Sequence, residues 1–165
     1  MAESFSFDVV SDFDRQELVN ALDQVKREIS QRYDLKGTDT SVDLEKENIF
    51  IITNSELTLN AVNDIIRQKA IKRNLSLKIF DYGDIEMIGG NRIKQTILLK
   101  QGIKQEIAKK ISKNIRDQIK KINVSSNGET LRVASKSKND LQLAIKLVSE
   151  LEESLNIPLK ANNFR

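Results

Sequence analysis

The sequence predicts an α+β protein made of two tandem domains of the ferredoxin-like, RNA-recognition type. Three observations predict it. Hydrophobic periodicity runs strand, helix, strand, strand, helix, strand, and then repeats that order. The two series also superimpose. Arg15-Gln16-Glu17-Leu18 matches Lys104-Gln105-Glu106-Ile107 at an offset of 89, and Ile49, Ile51, Leu59, Val62, Ile65 and Ile66 match Leu131, Val133, Leu141, Ala144, Leu147 and Val148 at an offset of 82. Between the series, Gly89-Gly90-Asn91 reads as a linker, so the domains are expected at residues 1–90 and 91–165.

Phe5 to Val10 alternates and is rich in strand formers. Leu18, Leu22, Val25, Ile29 and Tyr33 then recur at steps of three and four, the buried stripe of a helix. Asp12 or Asp14 stands where a helix cap is needed. Ser41 to Leu44 and Ile49 to Thr53 form two strands, and the short link Glu45-Lys46-Glu47-Asn48 suits a hairpin. Leu59, Val62, Ile65, Ile66 and Ile71 stripe a second helix. Leu75, Leu77 and Ile79 alternate as the last strand of the series, and continuing that alternation sends Phe80 and Tyr82 to the open face of the sheet with Phe50 and Ile52.

In the second series residues 92–100 alternate, and Ile103, Ile107, Ile111, Ile115 and Ile119 step by four along a helix expected from Ile103 to Lys121. Ile122 and Val124 lead through Asn127-Gly128, a strong hairpin signal, into Leu131 and Val133. Ser137-Lys138-Asn139-Asp140 is a capping box before the helix striped by Leu141, Ala144, Leu147, Val148, Leu151 and Leu155. Pro158 to Ala161 is a closing strand.

Composition narrows the function. The 165 residues contain no Cys and no His, which removes thiolate nucleophiles, Ser-His and Cys-His pairs, zinc-thiolate sites and the usual proton shuttle. A magnesium site at Asp8, Asp12 and Asp14 has no complementary cluster, so neither metal nor cofactor is expected. The first residues lack the basic and apolar regions of a signal peptide, and the apolar run Ile49-Phe50-Ile51-Ile52 is too short to span a bilayer, so a cytoplasmic protein is expected. Residues 1–90 carry 11 Lys/Arg against 17 Asp/Glu, while 91–165 carry 16 against 7. A basic, partner-binding second half follows.

Strand parity gives that half an open face of Lys94, Thr96, Leu98, Lys100, Asn123, Ser125, Arg132, Ala134 and Lys136, joined by Lys160 and Asn162. Such a face is rich in donors for phosphates. Residues 92–121 hold 10 basic and 2 acidic side chains, the densest positive stretch. Gly102 before the third helix would let a phosphate approach a helix N-terminus, with Lys104 beside it. No Walker-type or GxGxxG loop is present. Phe50, Phe80 and Tyr82 are read as a base-stacking platform or as a buried apolar face.

The segments Ser6-Phe7-Asp8-Val9-Val10-Ser11, Leu99-Lys100-Gln101-Gly102-Ile103, Lys136-Ser137-Lys138-Asn139-Asp140-Leu141-Gln142 and Asn163-Phe164-Arg165 resemble, in this order and spacing, the bacterial YajQ family. The resemblance implies two ferredoxin-like domains that exchange their first strands, nucleotide binding with ties to RNA, in some members cyclic di-GMP reception, and no catalytic residue set. The expected function is therefore a non-enzymatic nucleotide- or RNA-binding protein whose site comprises Lys94, Lys100, Gly102, Lys104, Arg132, Lys136 and Phe164. The alternatives are a cyclic-dinucleotide receptor, hinted at by Arg132 with Phe164, and an adaptor or homo-oligomer using Phe50, Phe80 and Tyr82.

Overall fold

The computed structural model describes residues 4–165. The signal-peptide reading of the chain start therefore rests partly on Met1–Glu3, outside the described residues. In chain order the elements are β1 (Phe5–Val10), α1 (Arg15–Gln31), β2 (Ser41–Glu45), β3 (Asn48–Thr53), α2 (Glu56–Lys72), β4 (Phe80–Ile88), β5 (Arg92–Leu99), α3 (Gln105–Gln118), β6 (Asn123–Asn127), β7 (Thr130–Ser135), α4 (Lys138–Leu155) and β8 (Lys160–Asn162). Among the described residues no helix is long and apolar enough to cross a membrane.

Two four-stranded antiparallel sheets form, in the orders β2-β3-β5-β4 and β6-β7-β1-β8. Each has the ferredoxin-like arrangement, with an exchanged strand in an inner position: β5 lies between β3 and β4, and β1 between β7 and β8. The chain divides into a continuous unit, Phe13–Lys100, and a composite unit of the residues up to Asp12 with Gln101–Arg165. Gly89-Gly90-Asn91, expected to link two domains, is instead the turn joining β4 to β5 within one sheet. Gly90 (φ +76°) and Asn91 (φ +58°) supply the left-handed backbone that a tight hairpin needs.

The core of the continuous unit packs Leu18, Leu22 and Val25 of α1 and Leu59, Val62, Ile65 and Ile66 of α2 on Ile49, Ile51, Ile93 and Ile97 of the sheet. That of the composite unit packs Ile111 and Ile115 of α3 and Ala144, Leu147 and Val148 of α4 on Phe7, Val9, Val124, Leu131 and Val133. Asp14 caps α1, accepting from the Glu17 N–H, and Ser137 caps α4, accepting from the Asp140 N–H.

Three expectations fail locally. Tyr33 lies beyond the end of α1 and is 95% exposed, and Ile71 is more than half exposed, so neither belongs to a buried stripe. Leu77–Ile79 is a turn of 3-10 helix rather than a strand. Because such a turn advances three residues per revolution, the alternation used to place Phe80 and Tyr82 does not carry through it. Phe80 pairs with Leu99 and Tyr82 with Ile97, both core positions. Phe80 is buried in the core and Tyr82 packs against it, capped by Arg67 at 5.1 Å.

Candidate nucleic-acid interface

The open face of the composite sheet follows from its registers. Arg132 stands opposite Ser125 on one side and Asp8 on the other, and Asp8 opposite Asn162. The exchanged strand therefore carries a carboxylate into the middle of a surface expected to present donors to phosphates. Arg132 Nε donates to Asp8 Oδ1 at 3.1 Å, and Asn163 Nδ2 donates to Asp8 Oδ2 at 2.9 Å. These two donors hold the Asp8 carboxyl below the usual carboxylate range. Asp8 is buried, while the Arg132 side chain stays 40% exposed.

Other expected site residues separate. Lys94 and Lys100 belong to the continuous unit, because residues 92–99 form β5 of the other sheet. The Lys94 ammonium lies 4.7 Å from the Phe50 ring centroid, a cation–π contact, with Glu86 opposite it on β4. The Lys100 N–H donates to Ile79 O. Thr96 and Leu98 move with them. The expectation of one track through Lys94, Lys100, Arg132 and Lys136 on a single sheet is thereby corrected.

Gly102 is also reassigned. Its φ of +82° and its N–H bond to Ser11 O at 2.6 Å show a turn glycine, and a Cβ there would clash with Glu129 Oε2. The space a phosphate would enter is filled by a carboxylate, which also pairs with Lys104 at 2.7 Å. Phe164 packs on Phe7 at a ring separation of 5.9 Å. Phe7 points to the helix side of the sheet and Arg132 to the open side, so the pair expected to clasp a dinucleotide is split between two faces.

Of the proposed set, Lys136 gains new neighbours. A groove of about 650 Å³ in the composite unit is lined by Lys120, Lys121, Asn123, Ser135, Lys136 and Ser137, with Asp140 as the carboxylate. All three lysines are exposed. Ser135 Oγ donates to Lys121 O at 3.2 Å and accepts from the Ser137 N–H at 3.1 Å, which ties the turn after α3, the end of β7 and the start of α4 together. The groove thus presents three ammonium groups, the Asn123 amide and the Ser137 hydroxyl at a helix N-terminus, where the dipole also favours an anion.

Sequence reasoning noted the lysines along α3 but did not join them to Lys136. The hairpin held the signal. Asn127 pairs with Thr130 and Asn123 with Ala134, and continuing that register two residues outward sets Lys121 opposite Lys136. Among the described residues no three carboxylates converge as a metal site. Asp8 is taken by Arg132 and Asn163, Asp14 caps α1, and Asp12 lies 4.0 Å from Lys160.

A family model described as nucleotide-binding protein YajQ-like matches residues 5–165. The chain is similar over its full length, and over the full length of each relative, to proteins named nucleotide-binding protein. These include one from Prochlorococcus marinus strain AS9601 at 95% identity, one from Prochlorococcus marinus strain SARG at 61%, and one from Synechococcus sp. strain CC9605 at 56%.

Proposed function

This chain belongs to the YajQ-like family of nucleotide-binding proteins, and on that premise we propose that it binds the phosphates of nucleotides or single-stranded RNA through the lysine groove of its composite unit. The observation that carries this reading is the convergence of Lys120, Lys121 and Lys136 on one groove with Asn123 and Ser137. Lysines hold phosphate oxygens as point charges, and the amide and hydroxyl groups add directional hydrogen bonds. Nothing in this mechanism requires the protein to break a bond. It positions a polyanion.

Neither alternative draws comparable support. The cyclic-dinucleotide reading relied on Arg132 beside Phe164, which stand on opposite faces, and Arg132 already engages Asp8. The adaptor reading relied on three aromatics, of which Phe80 and Tyr82 serve their own core.

The test is a Lys120→Glu/Lys136→Glu double variant, followed by anisotropy of a labelled RNA oligonucleotide across a salt series. Wild-type affinity should fall as salt rises. The variant should fold normally and bind weakly, with the log–log salt slope reduced by about 1.4 for two lost phosphate contacts on a single strand. Unchanged affinity and slope in the variant would refute the proposal.

A further inference from the structure

The loop after α1 holds an aromatic side chain that the fold does not use. Residues Arg32 to Lys36 form one helical turn, closed by N–H bonds from Leu35 and Lys36 to Arg32 O at 3.1 and 3.0 Å. Leu35 anchors the turn in the core at 3% exposure. Arg32 grips Asp34 with two hydrogen bonds of 3.0 and 2.7 Å. Thr38 Oγ1 bonds Leu35 O and the Thr40 hydroxyl, Thr40 bonds the Thr53 hydroxyl, and Arg92 donates to Thr38 O and Asp39 O. The loop is therefore fixed at both ends, yet Tyr33 stands 95% exposed on it.

Beside this turn runs a groove of about 460 Å³ whose polar lining is Lys26, Ser30, Lys36, Thr40, Ser41 and Asp43. Tyr33 and Lys36 are three residues apart on one helical turn, which makes them surface neighbours. An exposed aromatic ring on a fixed turn, beside a groove that supplies two ammonium groups and the Ser41 hydroxyl, matches a flat base joined to a phosphate, since stacking on an aromatic ring tolerates any base and lysines hold the phosphate. Asp43 offers an acceptor to a base amino group or ribose hydroxyl.

We infer that the Tyr33 turn and the adjoining groove of the continuous unit form a second ligand site, taking a nucleobase that carries a phosphate. This lies in the other unit from the lysine groove and does not depend on it. Tyr33 stacks the base, Lys36 and Lys26 contact the phosphate, and the Ser41 hydroxyl adds to the polar shell, while Ser30 and Thr40 hold the surrounding backbone and loop.

The chain has two tyrosines, so the full-length protein labelled with fluorotyrosine gives two fluorine resonances, assigned by a Tyr33→Phe variant. The experiment uses the Lys120→Glu/Lys136→Glu background to silence the other groove. Adenosine monophosphate, a hexa-adenylate strand and tripolyphosphate are added in turn. The inference expects the Tyr33 signal to shift by the ring current of a stacked base with the first or second ligand, while Tyr82 stays in place. A shift with the mononucleotide identifies a nucleotide site, and a shift with the strand alone a single-strand site. Tripolyphosphate should compete without producing that shift, and Lys36→Glu should weaken binding about tenfold, the low end for losing one hydrogen bond to a charged group. No Tyr33 shift with either base-bearing ligand, or the same titration in Lys36→Glu, overturns the inference. Failure of the lysine-groove double variant to lose RNA binding would bear on the first site alone.

Discussion

Asp8 holds two partners at once, Arg132 from β7 and Asn163 from the chain terminus, and so fastens both neighbours of the exchanged strand. Its lowered pKa means that its contribution is present above the ordinary carboxylate value and is lost as pH falls through the folded-state value. Asp8→Asn should therefore reduce stability at neutral pH by about 1 kcal/mol, a figure kept small because Arg132 is partly solvated. In urea unfolding near pH 3 the variant and the parent should approach each other. Gly102 makes a second residue-scale case. Gly102→Ala should cost about 1–2 kcal/mol, because φ is +82° and Glu129 must move aside. RNA affinity should be unchanged, since the glycine serves the turn. A parallel loss of affinity at constant folding would restore the phosphate-cradle role.

Among the elements, β4 shows how local geometry overrides periodicity. Its register breaks between Tyr82 and Ile85, where a Cβ on Gly83 would come within 2.7 Å of Thr96 O. Gln95 Nε2 donates to Gly83 O at 3.0 Å and Gln95 Oε1 accepts from Asn63 Nδ2 at 2.9 Å, so a buried polar chain joins α2, β5 and this bulge. Gln95→Leu should cost about 1–3 kcal/mol in thermal or urea unfolding, because it leaves the buried Asn63 amide without its acceptor. At the groove, Ser137→Ala should cost about 1 kcal/mol by removing the cap of α4. Most helix positions were legible from their stripes, since packing against one core imposes a 3.6-residue period. Phe80 and Tyr82 were not, because the intervening 3-10 turn resets parity without leaving a mark in the hydrophobic pattern.

For the molecule as a whole, strand exchange changes the charge of each unit. Divided at residue 90, the sequence is strongly polarised. Divided as the structure folds, the composite unit carries 13 Lys/Arg and 10 Asp/Glu, net +3, and the continuous unit 14 of each, net zero. Moving β5 with Arg92 and Lys94 one way and β1 with Asp8 the other removes most of the contrast. What remains basic is a local feature, the turn after α3 facing Lys136. The same exchange makes a folding prediction. A fragment of residues 13–100 contains every strand of its sheet and should give a cooperative thermal melt and dispersed amide resonances. A fragment of residues 1–90 lacks β5, an inner strand, and should give neither.

The sequence by itself determined the α+β class, the repeated element order, the cap at Ser137 and an aspartate cap on the first helix, the two hairpins and the exclusion of His- and Cys-based chemistry, because period, capping and composition act over a few neighbouring residues. The family resemblance implied the strand exchange, but only the tertiary structure decided what it brings together: Asp8 rather than Lys94 lies beside Arg132, and Lys94 lies on the sheet of Phe50. Those pairings join residues far apart in the chain, where an amphipathic strand carries the same alternation whichever sheet receives it.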